Sequence, residues 1–573
     1  MRLYLIALLL TLPFVVCASD TKKLKFVTDN EIRHSQLYDA LGIKIPPWYK
    51  FWKEKAPKIH VKIIPSFVES LRYYYKSQGF YHAKIEKGET ANLVIFKITE
   101  GKRTKVNSVL VVSDEDISDL VTFKKGDVFN SIEFVEIKKN IKNRLQKKGY
   151  CNFSLDAKAR VDIEKNSVKL NYHLNKNSQC RFGKITINSP KNIKDNITRS
   201  RLTFREGEIY DLEKINRSYS TISGLEVFDE IRVAMDKKND IIDINIDLKE
   251  KEKKRRIEAG IGYETDIGPR GIFHFEKRNF MGNARKASLD FKYSKKEKFA
   301  KNILYWPAFV KVPTFDYYYL DLKNEFSYSK INFDNFDERK YSNYLHLLKD
   351  YDKFSVNFGL GLERININKT EIAENIIDGN FNLFFPFAKI SADFRDSKMN
   401  PKNGFYISLY VENGLDILQD SSTYFKSIGE ARAIKTIKET TIALKGKLGI
   451  IKEYANSLPA SKLFFAGGAF SNRGYGYNTL GAFDKKRSLI GGRTLIDTTI
   501  EINHPIYKKF EGAVFFDSTL LSSQSYRFSI DIVHSLGLGV RYMTAIGPVK
   551  FDLGVDVEDT SQYAMHFQIG QSF

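Results

Sequence analysis

Past its first residues the chain has no long apolar run. No later stretch approaches the roughly 18 consecutive apolar residues of a membrane-crossing helix, so no such helix is expected. Enzyme signatures are missing too. There is no Gly-x-Ser-x-Gly, no phosphate-binding loop and no His-Glu-x-x-His, and the nine histidines are scattered. Gly474-x-Gly476 lacks the strand–turn–helix setting of a dinucleotide site. The reading is therefore of no enzyme, with no catalytic residue, no metal site and no cofactor. Cysteine is scarce, three residues in 573, and acidic charge is outweighed: 91 Lys and Arg stand against 69 Asp and Glu, a net +22. The basic residues are spread along the whole length. Solvated strand and helix faces explain most of them, and anionic headgroups of outer-membrane lipids or lipopolysaccharide suit the rest.

What is present begins with an export signal. Met1-Arg2 is a short positive start, Leu3 to Val16 is almost purely apolar, and Val16-Cys17-Ala18 places small residues around a cleavage site. Residues 1–18 read as a signal peptide cleaved after Ala18. The apolar stretch falls short of the ~20 residues that a retained anchor needs. Val16 before Cys17 is poor for lipoprotein processing. An exported chain does not meet nucleic acid as a routine partner, so the positive charge does not point there. The mean hydropathy of −0.35 resembles that of a soluble protein. A β-barrel reads the same way, because alternating lipid-facing and lumen-facing residues cancel in the average.

Three segments of the N-terminal half share one pattern. A helical stretch ends at Gly79-Phe80-Tyr81 in the first, at Gly149-Tyr150-Cys151 in the second and at Gly224-Leu225 in the third, the glycines lying 70 and 75 residues apart. Glycine suits a helix C-terminus because it takes the left-handed conformation cheaply. Lys125-Gly126-Asp-Val-Phe129-Asn130 matches Glu206-Gly207-Glu-Ile-Tyr210-Asp211, each ending on a residue able to cap the next helix. Opening strands are clearest at Val106–Val112 and Phe182–Ile187; the first unit starts divergently, with Pro46-Pro47-Trp48. The expected order of strand, helix, helix, strand, strand in about 75 residues resembles POTRA modules, here at 19–100, 101–180 and 181–252. After cleavage only Cys151 and Cys180 remain, in an oxidising compartment. If the second unit's hairpin turns at Lys165-Asn166, opposed residues have numbers that add to 331. Cys151 and Cys180 then face each other as a disulfide at its open end.

From about residue 253 to 573 the pattern becomes alternation of period two. Ile257, Ala259, Ile261 and Tyr263 alternate with Glu258, Gly260, Gly262 and Glu264. Near the end, Val549, Phe551, Leu553, Val555 and Val557 alternate with Lys550, Asp552, Gly554, Asp556 and Glu558. With 31 Tyr and 43 Phe available for interfacial girdles, about 320 residues at roughly 20 per strand and connection predict a barrel of ~16 antiparallel transmembrane strands. The fold class is thus three α+β POTRA repeats followed by a 16-stranded antiparallel transmembrane β-barrel. The last strand, Phe567-Gln-Ile569-Gly570-Gln-Ser-Phe573, reads as an insertion signal for the outer membrane. Counting back from it makes the turns at Thr544–Pro548 and Pro505–Lys509 periplasmic and Lys452–Arg493 a long extracellular loop.

That loop holds Arg473-Gly474-Tyr475, which resembles the Arg-Gly-aromatic motif in the sixth loop of the BamA/TamA outer-membrane assembly superfamily. Gly262-Tyr-Glu-Thr-Asp266-Ile-Gly268-Pro269-Arg270 resembles the first barrel hairpin of the TamA family. Asp393-Phe-Arg395-Asp396…Asn400-Pro401…Gly404 resembles its mid-barrel motif, and Leu538-Gly539-Val-Arg541…Gly547-Pro548 with Ile569-Gly570-Gln571…Phe573 its last strands. Three modules suit TamA; BamA has five, and two-partner-secretion transporters have two behind a plug helix. One departure stands out: the family's Phe-x-Asp-x-Gly is Phe515-Phe516-Asp517-Ser518-Thr519 here, without its Gly. The resemblance implies a factor in the outer membrane, its POTRA units in the periplasm. It would insert or secrete client outer-membrane proteins (autotransporter-like) with a TamB-like, inner-membrane-anchored, periplasm-spanning partner. A general BamA-like insertase, phospholipid transport with the TamB-like protein, and a two-partner-secretion pore are the alternatives. The loop is expected to fold into the lumen, where Arg473 meets Asp517, with Gly474 and Gly476 allowing close approach. A seam is expected between Ile257–Tyr263, including Ile261, and Phe567–Phe573.

Overall fold

A computed structural model describes residues 21–29, 31–43, 58–264, 268–313, 318–332, 336–351, 353–369, 378–418, 423–454, 458–482, 489–507, 509–528, 532–544 and 547–569. The expected signal peptide, the Pro46–Trp48 start, Gly570 and Phe573 lie outside them. The chain divides into two compact units: Met1–Lys184 with Arg205–Glu213 and Met235–Asp243, and Ile185–Phe204 with Lys214–Ala234 and Ile244–Phe573.

The first repeat contains β1 (Thr21–Thr28), α1 (His34–Ala40), β2 (Lys58–His60), α2 (Ile64–Ser77), β3 (Lys84–Glu89) and β4 (Leu93–Thr99), with sheet order β2-β1-β4-β3. Ile64, Phe67, Leu71 and Tyr75 recur at helical spacing and form one buried stripe of α2. They pack on the apolar face of the sheet, Leu24 and Phe26 of β1 and Val94, Phe96 and Ile98 of β4. Gly79 closes the helix in the left-handed region (φ +89°).

The second repeat contains β5 (Lys105–Ser113), α3 (Ser131–Lys147), β6 (Ser154–Asp162) and β7 (Ser167–Asn175), in the order β5-β7-β6. Asn130 caps α3, its side chain accepting from the N–H groups of Ile132 and Glu133. One expected element is missing. In place of a first helix there is a turn, in which the Leu120 and Val121 N–H groups both donate to the Ile117 carbonyl. The Cys151–Cys180 disulfide is present, with Cα atoms 5.8 Å apart. The hairpin register is different from the expected one. Ser154 opposes Asn175 and Asp162 opposes Ser167, and outside the ladder Tyr150 bridges Gln179. Opposed numbers therefore add to 329, and each cysteine sits one residue beyond the Tyr150–Gln179 bridge. The turn takes its tight bend with Asn166 at φ 48°, a conformation asparagine tolerates.

The third repeat contains β8 (Arg181–Asn188), α4 (Asp195–Arg199), α5 (Leu212–Ser223), β9 (Phe228–Lys238) and β10 (Ile241–Glu250), in the order β8-β10-β9. Asp211 accepts from the Glu213 N–H at 2.8 Å, as a cap should. After α5 the left-handed residue is Glu226 (φ 59°), two positions past Gly224.

Sixteen antiparallel strands follow, each hydrogen-bonded to its sequence neighbours. They are β11 (Arg255–Glu264), β12 (Gly268–Arg278), β13 (Lys286–Ser294), β14 (Glu297–Lys311), β15 (Tyr319–Asn332), β16 (Phe336–Tyr351), β17 (Phe354–Lys369) and β18 (Gly379–Asp393). The second eight are β19 (Asn403–Asp416), β20 (Thr423–Ile437), β21 (Thr440–Glu453), β22 (Thr494–Tyr507), β23 (Phe510–Ser522), β24 (Val533–Thr544), β25 (Gly547–Asp556) and β26 (Tyr563–Ile569). β11 and β26 lie beside each other; among the described residues no ladder joins them. Side chains alternate as the pleat requires. On β25, Phe551 and Leu553 are exposed on the outer face while Lys550, Asp552 and Asp556 are buried. No described helix is long and apolar enough to cross a membrane.

The lumen is not polar throughout. The inward positions of β17 and β18 include Ile365, Ile367, Phe381, Leu383, Phe385 and Phe387, all buried, with Glu363 as a buried acid on the same face. They form one apolar cluster with Leu458, Ala460, Phe464, Ala466 and Leu480 of the long loop between β21 and β22. The inward apolar face exists because a piece of the chain covers it.

Candidate functional site: a loop bound inside the barrel

Arg473 is 3% exposed although its loop is more than forty positions from Asp517 in sequence, which is fully buried. The contact is bidentate: Nε donates to Asp517 Oδ2 at 2.9 Å and Nη2 to Oδ1 at 3.0 Å. The Arg473 backbone N–H adds a third bond to Oδ2 at 3.0 Å. On β23, Phe516 faces outward and Asp517 inward, so strand parity alone aims the carboxylate at the loop. Missing glycine does not disturb this strand. Asp517 opposes Thr499 and Thr519 opposes Asp497 in regular register, and the Thr519 hydroxyl donates to Asp497 at 2.9 Å.

The site is larger than the expected pair. Nη1 of Arg473 donates to Glu501 Oε2 of β22 at 2.5 Å and lies 3.8 Å from Asp552 of β25. Arg541 of β24 bridges the same two acids, with Nη2 3.2 Å from Glu501 and Nη1 donating to Asp552. The guanidinium of Arg473 lies 3.4 Å over the ring of Phe515. Two arginines and three carboxylates thus share one buried site, and Arg473, Glu501 and Lys550 line an adjoining cavity of about 230 Å³. Sequence reading did not bring Glu501, Arg541, Asp552 and Phe515 to this site, although Arg541, Phe515 and Asp552 stand in its strand motifs. Their signal was the inward parity on four neighbouring strands, which becomes informative only once the register is known.

The residues after Arg473 are held too. Tyr475 donates from its hydroxyl to Asp556 Oδ2 at 2.6 Å, and the Ser535 hydroxyl donates to Asn472 at 2.6 Å. A Cβ on Gly474 would stand 2.2 Å from the Ser535 hydroxyl, and one on Gly554 would stand 2.3 Å from the Arg473 carbonyl. Loop and wall approach this closely because both lack side chains there. His566 of β26 places Nε2 3.2 Å from the Arg473 carbonyl. The expected seam residues stand apart from this site: Ile257 and Ile261 of β11 and Phe567 of β26 are exposed on the outer face. The Ile569 backbone pairs with Val549 at the end of β26.

At the opposite rim, Asp393-Phe-Arg395-Asp396…Gly404 folds into a tight turn. Arg395 Nε donates to Asp393 at 2.8 Å, and Asp396 accepts from the Lys402 and Asn403 N–H groups. Gly404 has φ +115°, and a Cβ there would stand 2.2 Å from the Phe394 carbonyl. Among the described residues no His, Cys, Asp and Glu cluster could hold a metal ion.

The Omp85 superfamily domain matches residues 279–573, and the surface antigen variable number repeat of the POTRA family matches 102–177 and 180–251. The outer membrane protein assembly factor BamA of Nitratidesulfovibrio vulgaris is 20% identical, the match covering 96% of this chain and 73% of that protein. The BamA of Neisseria meningitidis serogroup B is also 20% identical, over 91% of this chain and 74% of its own length. Among solved structures, BamA from Haemophilus ducreyi lacking POTRA domains 1–3 superposes with a TM-score of 0.56 at 17% identity. That match covers 82% of this chain and 99% of the other.

Proposed function

The chain belongs to the Omp85 superfamily, and from that membership we propose that it assembles client outer-membrane proteins by opening its barrel wall sideways. The barrel lies in the outer membrane and the POTRA units in the periplasm. The observation that carries the reading is the filled lumen: the sixth loop is bound inside through Arg473 and covers the apolar face of β17 and β18. A barrel plugged in this way serves solute passage badly. What it has to offer a client is an edge. A β-strand with unpaired backbone groups cannot rest in hydrocarbon, since each such group costs several kcal/mol. An edge opened between β11 and β26 would pair with the incoming strand by β-augmentation.

The finer reading is a TamA-type factor working with a TamB-like, inner-membrane-anchored partner. Its support, among the described residues, is an α+β unit, β1 to β4, that stands ahead of the two segments matched by the POTRA model. Such a partner also carries the alternative of phospholipid transport, and outer-membrane lipids and lipopolysaccharide would contact the barrel's outer face. A general BamA-like insertase is the second reading. It is favoured by the names of the relatives.

Pairs of cysteines placed on β11 between Ile257 and Ile261 and on β26 between Tyr563 and Phe567 test the seam. The pair that oxidises to a cross-link should abolish client assembly, while each single-cysteine variant keeps it. Normal assembly by a fully cross-linked barrel would exclude lateral opening.

A further inference from the structure

The sixth loop carries a second buried cation, on its first leg and remote from Arg473. Lys462 ends the short turn Ala460–Lys462 and is 6% exposed. Its ammonium lies 2.8 Å from Glu363 Oε2 of β17 and 3.3 Å from Glu412 Oε1 of β19. It also stands 3.9 Å from the centre of the Phe385 ring of β18. Lys426 of β20 donates to the Lys462 carbonyl at 2.8 Å. Both carboxylates are buried, 5% and 4% exposed, and each is steadied by a tyrosine hydroxyl: Tyr344 on Glu363, and Tyr424 on Glu412 at 2.9 Å. One lysine thus spans four adjacent strands, β17 to β20, whereas Arg473 binds β22, β23 and β25. The two clusters share no residue.

Apolar packing holds the loop against β17 and β18 without fixing where along the wall it sits. Two buried carboxylates do fix it. They repel each other and lie among aromatic rings, so they need a cation at one place, and the loop brings it. Withdrawing the loop takes away the cation they share and leaves Glu363 with Lys340 and Glu412 with Lys426 as the wall cations acting on them.

We propose that Lys462 is a second anchor of the sixth loop, a positioning residue that holds the loop's first leg to β17 and β19 independently of Arg473. The lumen then stays plugged when the Arg473 site lets go. The loop is a strap tied at two points on different parts of the wall, and releasing one tie frees only that end. This holds whether or not the barrel assembles clients, because the readouts concern the loop alone.

The test places a cysteine at Ala466, which lies between the ties and is 2% exposed. Folded full-length barrels, selected by their heat-dependent gel mobility, are treated from outside with a membrane-impermeant maleimide and separately inserted in planar bilayers. A466C alone should label slowly, and with R473A the rate should rise only a few-fold. A466C with K462M and R473A together should label more than tenfold faster than with R473A and conduct as a wide channel. K462R in place of K462M should return both readouts to the R473A level, since arginine restores the charge. Labelling and conductance no greater with K462M and R473A than with R473A alone would overturn the proposal, as would failure of K462R to rescue. If K462M does not fold, E363Q/E412Q removes the same ion pairs from the wall side and carries the same expectation. A barrel that folds with neither makes Lys462 a core requirement, and the anchor is then refuted.

Discussion

Arg473 is shared between two carboxylates, and the sharing ranks the effects of removing each partner. R473A leaves Asp517 buried without its arginine and leaves Glu501 to Arg541, which costs about 3–5 kcal/mol. D517A leaves the arginine Glu501 and is the milder change. External protease should therefore cut the sixth loop of R473A fastest, D517A more slowly and the unsubstituted barrel least. Equal cleavage of all three would show that these ion pairs do not hold the loop. The exchange R473D with D517R should recover only a minor part, because an acid at position 473 meets Glu501. Cross-linking of cysteines placed at 473 and 517 checks the proximity itself. Asp517 was legible from alternation and a resemblance. Glu501 was not, since an inward carboxylate on β22 has no stated partner until β22 is known to lie beside β23.

Among elements, the β6–β7 hairpin shows how a bond can be expected for a register the chain does not adopt. The cysteines lie outside the ladder, where the backbone is free to bring them together at a Cα separation of 5.8 Å. A cross-link closing a loop of 29 residues stabilises by about 3.6 kcal/mol in the chain-entropy model. C151S/C180S should lower the denaturant midpoint of the second repeat by a matching amount while its secondary structure, read by circular dichroism, stays the same. Thiol labelling of the unreduced, denatured protein should find neither cysteine free. A second element-level device joins α4 to the barrel. Arg201, following α4, donates to both Asp321 oxygens at 2.7 and 2.8 Å and to the Tyr305 hydroxyl at 3.2 Å. Lys349 donates to the Ser200 carbonyl at 3.2 Å. R201A strands a carboxylate that is 2% exposed. Amide hydrogen exchange across Asp195–Leu202 should then speed up at least tenfold, with the strands around Phe515 unaffected. Unchanged exchange there would mean that α4 is held by packing alone.

For the whole molecule, a plugged lumen and the proposed opening of the wall at its edge predict a selective phenotype. Deletion of the gene should lower a subset of outer-membrane proteins, or alter envelope lipid balance, while uptake of small solutes stays near normal. Quantitative proteomics of outer-membrane fractions, run beside a solute-uptake assay, gives the answer. Loss of one solute's uptake with an unchanged proteome would replace assembly by transport. Copurification of a long, strand-rich, inner-membrane-anchored protein with the POTRA units would favour the TamA-type reading over the general insertase.

Repeats and barrel strands could be read from order alone, because each rests on a regular spacing: glycines 70 and 75 residues apart, and alternation of two along each strand. Local periods survive folding, since the pleat and the helix impose them on neighbouring residues whatever else the chain does. Registers and long-range partners do not follow from such periods. The hairpin slipped by two in its sum because residues 163–166 form a four-residue turn ending on left-handed Asn166 in place of a two-residue turn at Lys165-Asn166. The second repeat lost a helix where a turn satisfied the same backbone. Lys462, Glu363 and Glu412 are separated in sequence by tens of residues, and the apolar lumen face of β17 and β18 contradicts a simple polar-in rule. Only closure of sixteen strands around a returning loop brings those residues to one place, where a buried charge must find its opposite.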